Sequence, residues 1–300
     1  MFPGLGRLRQ ILPLHIGRRP AAEIDDLAQL YRRAPGAQHR AAPLDADVTY
    51  AIDLARYYPR RLQELGIALE GAHILELGPG KNFGLALILA GYGARVRVAD
   101  RFLCPWDESY HPHFYALLRD RWEGPKSGLI SALSGARHSA VTALDTSARA
   151  LSSITAGSVD AVISHAVLEH VVEVEETCRE LAQVTRPRGI HIHQIDYRDH
   201  RDQTRPLDHL LIPEAEFMAK LASVYWNTGN RYRHSEFCAL FDSVGFDLID
   251  TLIDPDTERP LASELPRFIP LLRASQSRYR DWPEEKLGPL GARLTLRKRA

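Results

Sequence analysis

The chain has 300 residues, 45% of them hydrophobic, which is ample for a packed core without covalent staples. Its 38 Lys and Arg balance 38 Asp and Glu, so no net field draws it onto nucleic acid or an anionic membrane. Cys104, Cys178 and Cys238 are odd in number and lack C-x-x-C spacing, which argues against a disulfide framework or a zinc site and for a reducing, cytoplasmic setting. Residues 1–14 carry Arg7 and Arg9 but are interrupted by Pro3 and Pro13, unlike a signal peptide. No apolar run approaches the roughly 20 residues that span a bilayer.

In chain order, residues 21–33 and 48–65 place apolar side chains at helical intervals, and residues 1–65 read as an N-terminal helical extension. From Ala72 the pattern alternates. A strand at 73–77, a helix at 83–90 and a strand at 94–100 make a βαβ unit. The series resumes with a strand at 159–164, a helix at 167–184 and a strand at 189–195. A helix at 234–244 and strands at 246–253 and 292–297 close the chain. Repeated βα units imply a mostly parallel sheet with helices on both faces. Residues 66–300 then form the main domain, and 101–138, 200–233 and 255–288 fit no unit of it. Insertions of this kind usually carry substrate specificity, here as lid segments.

The strand at 73–77 runs straight into Gly78-Pro79-Gly80, where glycines let the backbone turn sharply and approach a ligand. The next helix offers its N-terminus to negative charge. Asp100 ends the following strand, 20 residues after Gly80, where a carboxylate can take both hydroxyls of a ribose. A dinucleotide fingerprint needs glycine three residues after Gly80, and Phe83 stands there. Glu76, at the strand tip, would repel a pyrophosphate and welcome a cationic amino-acid tail.

The run His73-Ile-Leu-Glu-Leu-Gly-Pro-Gly80 resembles the first motif of class I S-adenosylmethionine-dependent methyltransferases. Gly157-Ser-Val-Asp-Ala-Val-Ile-Ser-His-Ala-Val-Leu-Glu-His-Val171 is similar to the fourth-strand motif of their small-molecule, type 11-like branch. Arg186-Pro-Arg-Gly189 resembles the turn before the fifth strand. The resemblance implies a Rossmann-like α/β fold with a seven-stranded, mostly parallel sheet. It also implies S-adenosyl-L-methionine as cofactor, with S-adenosyl-L-homocysteine as product.

On that resemblance, Gly78, Pro79 and Gly80 pass under the methionine portion, and Glu76 meets its ammonium group directly or through water. Asp100 holds the ribose, Arg101 borders the adenine, and Asp145 and Thr146 contact the adenine amine. Ser164 and His165 touch the cofactor after the fourth strand. Asn82, where many members carry a third glycine, bonds the cofactor carboxylate. Asp145-Thr146 is also a common start of a helix or turn.

In open parallel sheets the ligand crevice lies beyond the carboxyl ends of the strands. This selects His165 and the polar run after the fifth strand, which includes Asp196, Tyr197 and His200. His200 with Asp196 or Asp199, or His165, could act as a base toward a hydroxyl acceptor of high pKa. Tyr197, Arg231 and Arg233 are candidates for holding an anionic substrate. The stretches 193–200 and 230–233 are similar to bacterial methyltransferases of surface-glycan or related biosynthesis. His111-Pro-His113 and His191-Ile-His193 lack the i, i+4 pairing or Cys partners of common zinc sites, so no metal is expected. In a strand the latter pair would share one face.

The function expected is methyl transfer to the oxygen or nitrogen of a small-molecule substrate, with neither nucleic acid nor membrane as partner. A homodimer is the simplest assembly, and the sequence leaves oligomeric state open. Two other functions suit the same fold: a nicotinamide-dependent oxidoreductase, and a methyltransferase-like scaffold that binds the cofactor without turnover.

Overall fold

The computed structural model describes residues 43–300 except 105, 134–140, 201, 203, 221–228 and 254–257, together with the backbone of residues 22–24. Side chains alternating along the strands divide most of the core into two layers. In β2 (His73–Leu77), Ile74 packs into one apolar cluster and Leu75 and Leu77 into the other. In β3 (Arg95–Asp100), Val96 and Val98 join the first layer and Ala99 the second. Apolar side chains on both faces of a strand are what a sheet covered on both sides requires.

The first layer is built by α1 (Leu44–Glu64), α2 (Gly84–Gly91), α3 (His111–Arg121) and α4 (Ser127–Leu133). Val48, Ala51, Ala55, Tyr58 and Leu62 form the buried stripe of α1, so the part of the expected extension that is described packs into the main core. The 101–138 insertion likewise contributes Phe114, Leu118, Trp122 and Leu129 to this layer. The opposite layer holds α5 (Val174–Val184) and α7 (His234–Ser243), through Cys178, Leu181, Phe237 and Phe241.

The sheet includes β1 (Ala22–Ile24), β4 (Val141–Asp145), β5 (Val159–His165), β6 (Thr185–Asp196), β7 (Phe246–Ile253) and β8 (Gly291–Lys298). Its order is β1-β4-β3-β2-β5-β6-β8-β7. Strands β4, β3, β2, β5 and β6 run parallel, while β8, β7 and β1 are antiparallel to their neighbours. This is the expected Rossmann-like α/β architecture, with seven strands plus the short edge strand β1. The order reverses between β2 and β5, the topological switch point where such sheets hold ligands.

Three local expectations need correction. Strand β1 lies within residues 21–33, expected as a helix, and the rest of that stretch is outside the described residues. Strand β4 had no assigned element. The helix expected over 167–184 is a single 3-10 turn, Leu168–His170, followed by α5. Its continuation is diverted by tertiary bonds: the backbone N–H groups of Gly229 and Asn230 donate to the Glu169 carbonyl at 2.7 and 3.2 Å. The Asn230 amide donates to the carbonyls of Leu168 and Val171, both at 2.7 Å. Gly229 is required for this approach, because a Cβ there would stand 2.1 Å from the His170 carbonyl oxygen.

The remaining segments contain α6 (Glu214–Lys220), α8 (Glu258–Ala274) and α9 (Glu284–Leu287). Leu207, Leu210, Phe268, Leu272, Tyr279 and Leu287 from the 200–233 and 255–288 insertions form a third, smaller apolar cluster. No helix among the described residues is long and apolar enough to cross a membrane.

A polar chain runs through the second layer. His191 and His193 share a face of β6, as period-2 side chains must, and pack against Phe241. Burial holds both imidazoles below their usual pKa, His193 at about 3, so both are neutral. The Thr185 hydroxyl donates to the Leu181 carbonyl at 2.6 Å, leaving its oxygen to accept from His191 Nε2 at 2.8 Å. His193 Nε2 then donates to His191 Nδ1 at 3.2 Å, and the Ser164 hydroxyl donates to His193 Nδ1 at 2.8 Å. One assignment of protons satisfies every member, as buried polar groups need. Thr185→Val should therefore lower the unfolding free energy by about 1 to 3 kcal/mol, because it strands a buried imidazole N–H. Denaturant unfolding of the two proteins checks this, and equal midpoints would break the chain as described.

Candidate active site

The loop after β2 is a left-handed turn. Gly78 and Gly80 have φ of 62° and 68°. A Cβ on Gly78 would sit 2.4 Å from Val167 Cγ2, so the side chain it excludes is barred by the turn after β5. Gly80 faces open space, the property needed for close approach of a ligand, and Pro79 is buried beneath it. Phe83 also adopts φ of 56°, where a non-glycine residue costs about 1 to 2 kcal/mol, and its complete burial offsets that strain.

The loop is pinned by parts of the chain with no motif. Lys81 pairs with Asp47 of α1 at 2.6 Å and lies over the Tyr110 ring. The Tyr110 hydroxyl donates to Asp47 at 2.7 Å, His111 Nε2 donates to the Lys81 carbonyl at 2.8 Å, and the Tyr115 hydroxyl donates to the Asn82 carbonyl at 2.9 Å. Asn82 Oδ1 accepts from Gly84 N at 3.1 Å and its Nδ2 reaches Tyr110 at 3.3 Å. Asn82, expected as a cofactor contact, also caps the backbone entering α2.

Glu76 is 6% exposed at the tip of β2, and its Oε2 has no hydrogen-bond partner among the described residues. Burial raises its pKa to about 8. Burial keeps this carboxyl protonated near neutral pH, and a cationic ligand group would draw it into the ionised form, so the position is suited to such a group and opposed to a pyrophosphate.

Asp100 and Asp145 are register partners at the ends of β3 and β4, joined beyond by Thr146 N–H donating to the Asp100 carbonyl at 3.0 Å. Burial raises the Asp100 carboxyl above its ordinary range, although its Oδ1 accepts from Phe102 N at 2.8 Å. Asp145 is exposed, and Arg101 lies over the Phe102 ring. The Thr146 hydroxyl donates to Ala150 O at 2.9 Å and is buried, so that side chain closes a turn and is not offered to a ligand. Ser164 differs from expectation in the same way, because its fully buried hydroxyl donates inward to His193.

Beyond β5 and β6, one strand across from the glycine loop, lies a cavity of about 440 Å³ walled by Tyr50, His165, Gln194, Asp196, Arg198 and Arg293. Tyr58, kept protonated by burial, directs its hydroxyl to His165 Nδ1 at 3.1 Å and lies farther, at 3.5 Å, from the Ser164 carbonyl. Nδ1 is then the acceptor and Nε2 carries the proton. Burial also lowers the His165 pKa to about 4. The ring thus presents an N–H donor and is a poor base. Arg293 donates to Gln194 Oε1 at 3.1 Å and stacks on Tyr57 at 3.9 Å.

Asp196 also loses stabilisation by burial, but bonds from His200 and Arg198 hold it well below the usual carboxylate range. His200 Nε2 lies 3.5 Å from its Oδ2 and the Arg198 guanidinium forks onto both oxygens.

Arg231, Arg233 and Tyr197, expected to hold substrate, are buried. Arg231 donates to the His209 carbonyl at 2.9 Å, to the Ile212 carbonyl and to Glu214, over the Phe217 ring. Arg233 donates to the carbonyls of Tyr197 and Leu287 at 2.8 and 2.5 Å and to that of Pro289. The Arg231 guanidinium ties the 200–233 insertion together internally, and that of Arg233 joins the insertions to the segments flanking β6 and β8, because each can satisfy carbonyls that water does not reach. Sequence reasoning missed Asp47, Tyr50, Tyr58, Tyr110, Gln194 and Arg293. Only Tyr50 and Tyr58, eight residues apart on one amphipathic helix, left a local trace.

Residues 124–193 match the family model described as a methyltransferase domain, a stretch containing β4, β5, α5 and most of β6. No functionally curated protein matches the chain. Among solved structures, it is similar to a candidate sarcosine dimethylglycine methyltransferase from Galdieria sulphuraria at 15% identity and TM-score 0.49, covering 85% of this chain and 87% of that one. It is also similar to an S-adenosylmethionine-dependent methyltransferase from Mesorhizobium loti, at 17% identity and TM-score 0.43, covering 82% and 100%. The Haemonchus contortus phosphoethanolamine N-methyltransferase 2 in complex with S-adenosyl-L-methionine is matched at 12% identity and TM-score 0.45, covering 87% and 61%.

The buried carboxylate of Glu76 should leave a mark on stability before any ligand is added. Because its pKa is raised in the folded chain, its contribution to stability is fully present below the unfolded value and is lost as pH rises toward about 8. Glu76→Gln should flatten that part of a stability-against-pH profile measured with denaturant, and an unaltered slope would place the carboxylate in water.

Proposed function

We propose that this chain, an S-adenosylmethionine-dependent methyltransferase, holds the cofactor across the β2 and β3 ends and takes a small-molecule acceptor into the cavity beyond β5 and β6. The observation that carries the cofactor side is Glu76, a buried carboxylate lacking a partner beside a glycine turn that leaves one face open. The cationic amino-acid end of the cofactor supplies the matching charge, and Asp100 offers a carboxylate for the ribose at the end of the neighbouring strand β3. Arg101 and Asp145 border the adenine end from the neighbouring strand terminus.

When bound, S-adenosyl-L-methionine supplies a methyl group already activated on a sulfonium, so the residues around the acceptor chiefly align it and exclude water. Tyr50, His165, Gln194 and Arg293 line the space for that acceptor. His165 gives it an N–H donor, with Nδ1 occupied by Tyr58. Asp196, strongly ionised, is a weak base, and His200 lies behind it and acts through it. This arrangement supports an acceptor that is nucleophilic without enzymatic deprotonation, namely a neutral amine or an oxygen ionised on its own account, in preference to an alcohol of high pKa.

Calorimetric titration with S-adenosyl-L-homocysteine is the primary test. Glu76→Gln and Asp100→Ala should each weaken binding by about tenfold to a hundredfold with folding intact, the loss of one charged hydrogen-bonding group. Unchanged affinity in both would remove the β2 and β3 ends from the cofactor site. Once an acceptor is found by screening metabolites with labelled cofactor, His165→Gln should keep kcat within about tenfold of the parent. A fall of about 10² to 10⁴ would instead restore His165 as a general base.

A further inference from the structure

Beside the acceptor cavity, the 3-10 turn and the segment just after β6 bring together three groups, of which the methyl-transfer reading uses only His200, and that one only through Asp196. Glu169, His170 and His200 each direct a ligand-type atom into one small region, all within 4.8 Å of one another. Two of those side chains carry atoms with nothing to bond among the described residues. Glu169 is 2% exposed and its Oε2 is without a hydrogen-bond partner, as is His200 Nδ1. We propose that Glu169, His170 and His200 form a binding site for one divalent first-row transition-metal ion.

The geometry around His200 has the form a metal ligand needs. Its Nε2 faces the Asp196 carboxylate at 3.5 Å, so the proton belongs on Nε2 and the lone pair on Nδ1. Arg198 forks onto Asp196 and fixes that carboxylate in turn. Glu169 is held equally firmly: its carbonyl accepts from Gly229 and Asn230, and its Oε1 accepts from Asp196 N at 3.3 Å. The remaining oxygen is buried without compensation, a situation that proteins resolve with a cation. His170, exposed on the same turn, leaves a path from solvent. The His170 and His200 rings lie 5.0 Å apart between centroids.

Two imidazoles with one carboxylate favour zinc and its neighbours over magnesium or calcium, which prefer all-oxygen sets. Metal–nitrogen distances of about 2.1 Å require ligand atoms about 3 to 3.5 Å apart, reached here by small side-chain rotations. Three protein ligands leave at least one coordination position open. Asp196 is both the orienting partner of His200 and a wall of the cavity, so the ion and the acceptor space share that side chain.

The test needs neither cofactor nor acceptor. Full-length protein treated with chelator and dialysed is titrated with Co²⁺, followed by its visible absorption, and with Zn²⁺ by calorimetry. One ion per chain is expected, with a Co²⁺ spectrum of mixed nitrogen and oxygen ligation. His170→Ala, exposed and harmless to folding, and Glu169→Gln should each weaken binding at least tenfold, while S-adenosyl-L-homocysteine affinity in metal-free protein stays unchanged. Absence of binding up to millimolar Zn²⁺ would overturn the site. So would binding that survives His170→Ala and His200→Ala together, because the ion would then lie on other histidines. If His200→Ala fails to fold, undiminished binding in the His170→Ala and Glu169→Gln double variant would overturn the site in the same way.

Discussion

A carboxylate held out of water without a partner organises this molecule. Glu76 stands on a central strand flanked by β3 and β5, and nothing among the described residues neutralises its outer oxygen. Keeping such a group buried is unfavourable to the folded chain, and the surrounding sheet must be stable enough to bear it. The two apolar layers provide that stability, with the strands between them contributing a side chain to each in alternation. The strained turn at Gly78, Gly80 and Phe83 then follows immediately, where strand ends at the switch point leave room that packing does not fill.

The insertions support the site more than they cover it. The 101–138 segment sends Tyr110, His111 and Tyr115 to the glycine loop, fixing carbonyls that would otherwise be free to move. The 200–233 and 255–288 segments share a small apolar cluster, braced internally by Arg231 and tied to the ends of β6 and β8 by Arg233. Gly229 and Asn230, between α6 and α7, break a helix to create the turn that carries Glu169 and His170. The cavity beyond β5 and β6 is walled by β6 and β8 and by α1, which supplies Tyr50 to the wall and Tyr58 behind His165.

The Rossmann-like order, the glycine turn and the strand ending at Asp100 were legible in the sequence because each is written in contiguous residues: period-2 apolar alternation, glycine spacing and a carboxylate at a strand end. The pair His191 and His193 was readable as one face for the same reason. Strand β4 was missed, being only five residues with Thr142 and Asp145 among them, too short and mixed for a clear period. Arg231 and Arg233 looked like anion binders because a cation beside aromatic residues has the same appearance in sequence whether it meets a ligand or acceptors of its own fold.

By itself the sequence determined the α/β architecture, the location of the glycine turn and the acidic groups along the strand ends, since local backbone preference and side-chain periodicity specify them within a few residues. Only the tertiary structure decided which polar groups are available. Ser164, Thr146, Asn82, Arg231 and Arg233 are bonded to partners up to 56 residues away, while Glu76, Glu169 and His200 keep atoms without a partner among the described residues. Hydrogen-bond satisfaction is a property of three-dimensional neighbours, and burial sets the consequence of leaving it incomplete.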